Sequence, residues 1–353
     1  MSDNEINLDP LEIKNTLNNL PLATSELPGI KGVIKAKPEH FIVEEVMPYM
    51  PCGEGEHVFV TLKRSGWNTV DMARLIQKEM GIKKHDMGWG GRKDRHAVVT
   101  QTFSIRYDIN TDLGEITGRL AGLPFEILSV KRHKNKIKTG HVKTNRFTLI
   151  VSKTGEQALA RADAVAALLK KKGLPNFYGP QRFGNNFQNL LPACRLFSGR
   201  HHGKNRKNPF MVSVLQSALF NIWLKERMDT GCFKSIILGD VARKTDTGGL
   251  FIVDDMESDA LRFSNREIVY TGPVFGFKMK PSRDIAGSTE SALMDRFGLT
   301  PESFRKFRAP GTRRPAILYI EDLEVKEAEE GLRFRFTLPS GAYATTVMRE
   351  FIR

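Results

Sequence analysis

The chain has 353 residues, of which 54 are Lys or Arg and 40 are Asp or Glu, so its formal net charge at pH 7 is +14. This charge favours a polyanionic partner: nucleic acid is the first expectation, and an anionic membrane surface is the alternative. No hydrophobic run approaches the ~20 residues that cross a bilayer. The length is sufficient for two domains with sizeable cores.

Two further features concern the compartment and the redox state. Residues 1–27 are acidic and rich in Asn, without the basic start and apolar block of a signal peptide, so we expect a cytoplasmic protein. Cys52, Cys194 and Cys232 are far apart and form no C-x-x-C pair, which speaks against structural zinc and against a disulfide framework. We expect all three to be ordinary buried thiols.

The first half of the chain predicts strands that alternate with helices. Residues 1–28 lack periodicity and are expected to form a partly ordered leader. Asn68 or Thr69 can cap a helix that ends at Gly81. Strands are predicted at 33–36, 41–46, 57–62, from 97, at 125–130 and at 145–151, and further helices at 111–120 and 155–172.

The composition changes after Gly173. Aromatic residues at 177–187 are interleaved with Gly, Asn, Gln181 and Arg182, which suits either close approach and stacking or a compact structural loop. A basic segment at 200–207 precedes a helix at 209–228, and its adjacent His201 and His202 are interpreted as surface residues rather than metal ligands. Short strands and helices alternate over 235–311. Strands follow at 316–325 and 332–338, and 343–351 is a last strand or short helix.

One stretch concentrates the groups that could perform chemistry. In GWGGRKDRHAVVTQTF, at 88–103, the carboxylate of Asp94 is set among three Lys or Arg residues and His96, just before a β-branched run typical of a strand. Neighbouring cations favour the ionised form, so Asp94 would be available as a nucleophile or base. A solvated polar turn whose charges cancel is the alternative for this motif taken alone.

The most basic stretch lies at 131–146, which has seven Lys or Arg residues, two His and no acid. A solvated hairpin is the ordinary interpretation of such a charge run. Because the run lies beside Asn145 and Phe147 in a chain of net charge +14, we predict instead a ribbon that binds phosphates.

Five segments, in their order along the chain, resemble the TruD family of tRNA pseudouridine synthases. They are KAKPEHFIVE at 35–44, GRKDRHA at 91–97 with Thr100 and Gln101, NRF at 145–147, LPNFYGPQRFG at 174–184 and LPSGAYATTVMRE at 338–350. The resemblance therefore covers nearly the whole chain. It departs from the family at His40, where an acidic residue is common, and we expect little consequence from this change.

The resemblance implies an α+β fold in two domains. A mixed, mainly antiparallel sheet of pseudouridine-synthase type forms the catalytic domain, at 1–172 and 313–353. A second α+β domain, the TRUD insertion, lies at 173–312, with a cleft between the two. Hairpin-like strand pairs mixed with helices independently favour α+β over a regular βαβ series.

The resemblance also implies the activity: an isomerase that converts uridine 13 of tRNA to pseudouridine, acting as a monomer with tRNA as partner and without cofactor or metal. Asp94 is the expected catalytic group. Lys35 is expected to pair with a phosphate or with Asp94. The remaining substrate-binding residues are expected to be Phe41, Phe147 and Tyr343 as pocket walls and Asn145 as a hydrogen-bonding group.

Two other functions remain as alternatives at this stage. A non-catalytic RNA-binding protein or RNA chaperone could use the same basic surface, although a binder does not need Asp94 within its cationic cluster. A phosphate-cleaving nuclease is disfavoured because the sequence has no convincing carboxylate or His cluster for a metal.

Overall fold

A computed structural model describes residues 6–199 and 208–353. The basic segment at 200–207, including His201 and His202, lies outside the described residues. The described residues form two compact units. The helical unit contains those up to Glu26, from Leu168 to Tyr319 and from Thr345 to Glu350, and the sheet unit contains the rest. The predicted domain division at 172/173 and 312/313 stays a prediction.

The described part of the chain contains ten α-helices and fifteen β-strands. The helices are α1 (Pro10–Asn18), α2 (Thr69–Met80), α3 (Leu113–Leu120), α4 (Ala158–Lys172), α5 (Leu190–Phe197), α6 (Pro209–Asp229), α7 (Met256–Ser264), α8 (Asp284–Arg296), α9 (Pro301–Arg305) and α10 (Ala344–Phe351). The strands are β1 (Val33–Ile34), β2 (Phe41–Val46), β3 (His57–Arg64), β4 (Met87–Trp89), β5 (Val98–Arg106), β6 (Glu126–His133), β7 (Thr144–Ser152), β8 (Leu174–Pro175), β9 (Val241–Lys244), β10 (Leu250–Ile252), β11 (Ile268–Val274), β12 (Thr312–Pro315), β13 (Ile317–Leu318), β14 (Glu324–Ala328) and β15 (Gly331–Pro339).

The sheet unit is built on a nine-stranded sheet in the order β14-β15-β7-β2-β5-β3-β6, with β1 on β7 and β4 on β5. The pair β2–β5 is parallel and the other pairs are antiparallel. The prediction of an α+β fold with a mixed, mainly antiparallel sheet is therefore confirmed. Side chains alternate along a strand, so β7 directs Asn145 and Phe147 to the buried face and Arg146 to the other.

Helix α2 covers part of the buried face and follows the sequence prediction. The Asn68 side chain accepts hydrogen bonds from the first turn of the helix, and Gly81 ends it in the left-handed conformation, with φ 64°. Met72, Ile76 and their neighbours pack into a core with buried residues of β3, β5 and α3.

The helical unit has a four-stranded sheet in the order β10-β9-β11-β12, and β11 packs on α6. Two ion pairs are buried in this unit. Arg227 of α6 and Asp240 form a two-pronged pair at 2.7 Å, and Arg313 of β12 and Glu290 of α8 form another at 2.8 and 3.0 Å. Within the described residues, no helix is long and apolar enough to span a membrane.

Within the leader, which was expected to be partly ordered, residues 10–18 form α1, capped by Asp9, with Ile13 and Leu17 buried. Two predictions about local structure are wrong. The strand predicted at 316–325 is two strands in different units, β13 on β8 and β14 on β15. Cys52 is exposed and Cys232 half-buried, so among the cysteines only Cys194 is the buried thiol that was expected. The ambiguous segment 343–351 forms the helix α10.

We expect Asp240→Ala to lower the free energy of unfolding by about 3–5 kcal/mol, because it leaves the buried Arg227 guanidinium without its counter-charge. Urea unfolding followed by circular dichroism measures the change. Glu302→Ala, which removes an exposed pair with Arg305, is the matched control and should cost at most about 1 kcal/mol. Equal effects of the two substitutions would contradict the assignment.

Candidate active site

Asp94 lies in the loop that joins β4 to β5, and two glycines shape the approach to this loop. A Cβ atom on Gly88 would lie 2.1 Å from the carbonyl oxygen of Ile137, and one on Gly90 would lie 2.2 Å from Cγ2 of Val142. Both distances are far shorter than a van der Waals contact, so no side chain fits at either position. The glycines therefore allow residues 134–143, which follow β6, to pack directly against the start of the loop.

The side-chain amide of Gln101 on β5 fixes the next part of the loop. Its Nε2 donates to the carboxylate of Glu45 and to the carbonyl oxygen of Gly91, both at 2.9 Å. Its Oε1 accepts from Arg64 at 3.1 Å and from the hydroxyl of Thr69 at 3.0 Å. All four hydrogen-bonding positions of this fully buried amide are thus used.

Lys93, immediately before Asp94, is held at both its backbone and its side chain. Its amide donates to the hydroxyl of Thr69 at 2.8 Å, and its ammonium pairs with Glu45 at 2.7 Å, with side-chain exposures of 11% and 1%. Burial lowers the pKa of Arg64, the other cation of this cluster, to about 10, although the charge of Glu45 acts in the opposite direction. The buried side chains of Glu45, Arg64, Thr69 and Gln101 thus form a cluster that holds the loop at Gly91 and at Lys93, the residues before and after Arg92.

The Asp94 carboxylate itself has two donors. Oδ1 accepts from the backbone amide of His96 and Oδ2 from the ammonium of Lys35, each at 3.1 Å. Partial burial raises the pKa of Asp94, but the His96 amide and the Lys35 ammonium outweigh it, so the net pKa lies below the usual value. Because 39% of the side chain is exposed, this ionised carboxylate remains open to a reactant.

Lys35 is held in an uncommon backbone conformation. Its φ is +58°, in the left-handed region that non-glycine residues rarely adopt. Its ammonium lies 4.2 Å from the ring centroid of Phe41 while it bonds Asp94. The Lys35 ammonium is therefore fixed by a cation–π contact and by a charged hydrogen bond. These two interactions offset the strain of the Lys35 backbone.

Two of the three aromatic residues predicted as pocket walls, Phe41 and Phe147, lie together on the buried face. Phe41 and Phe147 meet edge to face at 6.1 Å between centroids, and Phe147 stacks on Phe336 at 5.6 Å. Both predicted walls are nearly buried, at 5% and 7% exposure. Tyr343 is half-buried in the turn before α10, and its place in the site stays a prediction.

Asn145 stands two residues before Phe147 on β7, with its side chain on the same face. Its backbone is paired with that of Glu45 in β2. The amide oxygen Oδ1 is buried and has no hydrogen-bond partner among the described residues. Since buried polar atoms are normally bonded, this oxygen is an acceptor available to a substrate group.

The basic stretch at 131–146 divides into engaged and unengaged cations. Arg132 is buried and donates to three backbone carbonyls, Lys134 pairs with Glu54, and Lys136 bonds the carbonyl of His85. Lys131, Lys138 and Lys143 are exposed, and within the part of the chain that the structure describes their side chains form no ion pair. Arg146, the seventh cation of the stretch, is half-buried on β7. Binding of phosphates by the exposed lysines stays a prediction.

The cluster of Glu45, Arg64 and Thr69 was missed by sequence reasoning. A signal was present: Glu45 continues the inward positions of Phe41 and Val43, and Arg64 continues those of β3, so two charges stand on a buried face. Such charges indicate a paired network. Among the described residues, no group of three or more His, Cys, Asp or Glu could hold a metal ion.

Comparison with known proteins gives consistent results. A family model described as tRNA pseudouridine synthase D (TruD) matches residues 18–190 and 205–351. The chain is 40% identical over 346 residues to tRNA pseudouridine synthase D of Anaeromyxobacter dehalogenans, covering 96% of this chain and 97% of that one. It is 39% identical to the protein of the same name from Thermus thermophilus, covering 94% and 92%.

A solved structure shows the same fold. The crystal structure of a Methanosarcina mazei protein that carries the family name TruD superimposes with a TM-score of 0.74 at 20% identity, covering 97% of this chain and 98% of that one. This likeness confirms the predicted type of fold.

We expect Lys35→Met to raise the pKa of Asp94, because the ammonium that stabilises the carboxylate is removed while partial burial remains. A carbon-13 NMR titration of the Asp carboxyl groups measures this directly. Lys37→Met, which removes an exposed partner of Glu330, is the control and should leave the Asp94 titration in place. A pKa of Asp94 unmoved by Lys35→Met would contradict the pairing.

Proposed function

Because the chain belongs to the TruD family of tRNA pseudouridine synthases, we propose that it is an isomerase that converts uridine 13 of tRNA to pseudouridine, with Asp94 as the catalytic group. The observation that carries this proposal is the ionised, accessible Asp94 carboxylate, bonded to Lys35 within the segment that resembles the family's active-site motif. A protein that only binds RNA has no need for such a group.

The reaction explains why one carboxylate suffices. The bond from N1 of uracil to C1′ of ribose breaks, the base turns, C5 bonds to C1′, and the C5 proton is finally lost while N1 gains one. An ionised carboxylate can attack C1′ covalently, or it can remove a ribose proton to give a glycal-like intermediate and later handle the C5 proton. Asp94 is suited to either route because its depressed pKa keeps it ionised at neutral pH.

The target base must leave its stack before it reacts. Base flipping costs a few kcal/mol, which contacts in a pocket offset. In this proposal the rings of Phe41, Phe147 and Tyr343 form the wall, and the unbonded Oδ1 of Asn145 accepts a hydrogen bond from the uracil edge. We assign the reacting uridine to the catalytic domain at 1–172 and 313–353 because all the proposed site residues lie in it.

The position of the modification tests the substrate assignment. Pseudouridine in tRNA is mapped in cells with and without this protein. We expect the signal at position 13 to disappear when the protein is absent. If tRNA is bound but no pseudouridine depends on the protein, the non-catalytic RNA-binding function replaces the proposed one.

We expect Asp94→Asn to abolish activity while tRNA affinity stays within about threefold of wild type, because the amide can act neither as nucleophile nor as base. Release of tritium from tRNA that contains 5-tritiated uridine measures turnover, and filter binding measures affinity. Asp108→Asn, in an exposed turn of the same unit, is the matched control. Activity of Asp94→Asn within tenfold of wild type would refute the assignment.

The exposed cations beside the site provide a separate test of RNA binding. Changing Lys131, Lys138 and Lys143 to Ala should weaken tRNA binding and lower the log–log salt slope by ~0.7 to 0.9 for each lost phosphate contact. The double change of Lys134 and Lys136 to Ala, whose ammonium groups are already engaged, should affect the slope less. An unchanged slope in the triple variant would make the stretch a solvated hairpin.

A further inference from the structure

A cavity of about 260 Å³ lies in the helical unit, and none of the residues assigned to the reaction belongs to its lining. It is lined by the end of α1 and the residues after it, the segment 177–187, Asn221 of α6 and one face of α10. The lining residues used below are Phe177, Phe183, Phe187, Thr345 and Arg349. We call this cavity the Phe187 pocket.

The walls of the Phe187 pocket are flat and aromatic. The ring of Phe187 is half-buried and stacks on the buried ring of Phe183, with centroids 5.8 Å apart and planes 22° apart. The guanidinium of Arg349 lies 5.5 Å from the centroid of Phe177. Rings and guanidinium planes of this kind are the surfaces on which proteins stack unpaired bases of RNA.

The polar groups of the pocket fit a neutral heteroaromatic edge. Thr345 Oγ1 is buried without a hydrogen-bond partner, so it can bond a donor or acceptor on an entering ring. The guanidinium of Arg349 donates to the carbonyl oxygens of Leu20 and Pro21, which holds its plane in place. Among the described residues that line the pocket there is no Asp or Glu, so the lining adds no negative charge that would repel an RNA.

The backbone at the rim is strained in a way that presents the Phe187 ring. Asn186 and Phe187 have φ of 49° and 61°, consecutive left-handed conformations in non-glycine residues. The ammonium of Lys14 on α1 bonds the Asn186 side chain at 3.0 Å and helps to hold this turn. Strain of this kind concentrates at ligand sites, where the surrounding structure maintains it.

We propose that the Phe187 pocket receives one unstacked nucleobase of the RNA substrate, other than the reacting uridine. This inference rests on the proposed function for the identity of the RNA. The volume lies just below the range of about 300–1,000 Å³ that holds drug-sized ligands, so it suits a single ring system. None of its lining residues belongs to the sheet unit that carries Asp94, which is why a second base is assigned to it.

The test replaces the platform and keeps the catalytic group. Phe187→Ala should raise the KM for tRNA and the Kd from filter binding by about tenfold, as expected for the loss of one stacked base. The maximal rate should change less, and Phe187→Trp should restore affinity because it provides a larger ring. Phe251→Ala removes another half-buried ring of the same unit, beside Arg262, and should change neither constant.

Several outcomes overturn the proposal. A KM and a Kd within twofold of wild type in folded Phe187→Ala show that no base stacks there, whatever else occupies the pocket. If Phe187→Ala lowers the melting temperature, KM and Kd are measured in Phe187→Leu instead. The leucine side chain fills the space of the buried part of the ring but offers no flat face for stacking. Equal affinity losses in Phe187→Ala and Phe251→Ala also refute the pocket.

Failure of the pocket and failure of the proposed function are distinguishable. If wild-type protein makes pseudouridine and Phe187→Ala behaves like it, the pocket proposal falls and the function stands. If wild-type protein makes none but Phe187→Ala still loses RNA affinity, the pocket stands and the function falls. A photoreactive benzophenone amino acid at position 187 should crosslink to one nucleotide of the tRNA, and uniform crosslinking along the RNA would refute a defined base site.

Discussion

The saturated amide of Gln101 is the constraint on which the candidate site depends. It joins β5 to Glu45 of β2, to Arg64 of β3, to Thr69 at the start of α2 and to the carbonyl of Gly91 in the loop. The Gln101 amide is fully buried, so loss of any one of these hydrogen bonds would leave an unsatisfied polar atom in the interior. A glycine-rich loop can consequently present a carboxylate in a fixed place.

In the nine-stranded sheet, the alternation of side chains places neighbouring residues of one strand on opposite faces. On β7, Asn145 and Phe147 face the interior, where the proposed substrate wall lies, whereas Arg146 between them faces the other side. The ammonium of Lys35 connects the apolar floor to the reactive carboxylate, because it contacts the Phe41 ring and Asp94 at once. Lysines of the sheet unit thus differ in their surroundings: Lys35 is fixed and lowers the pKa of Asp94, Lys93 is half-buried and pairs with Glu45, and Lys131, Lys138 and Lys143 are exposed.

Local signals in the sequence predicted those elements whose ends depend on nearby residues. Asn68 and Gly81 delimit α2 because a cap and a left-handed glycine act within one turn, and β2 has the predicted bounds 41–46. Elements decided by distant contacts were not predictable in this way. The segment 316–325 has a continuous strand pattern, but its first half pairs with β8, far earlier in the chain, and its second half pairs with β15. Helix α1 was not predicted although Asp9 and Pro10 provide a local start signal, because residues 10–18 follow no clear apolar period. The buried partners of Glu45 and Arg64 were not predictable either, because they come from other strands, helices and loops of the fold.

The ring of Phe147 belongs both to the proposed substrate wall and to the core, because it contacts Phe41 on one side and stacks on Phe336 on the other. A substitution that enlarges the space for a substrate therefore also opens a void in the sheet core, and a bulkier ring displaces the strand that carries Asn145. Redesign of substrate scope at this wall would need coupled changes at both neighbouring rings. For the same reason, drift in this part of the sequence is expected to occur as compensated pairs rather than as single replacements.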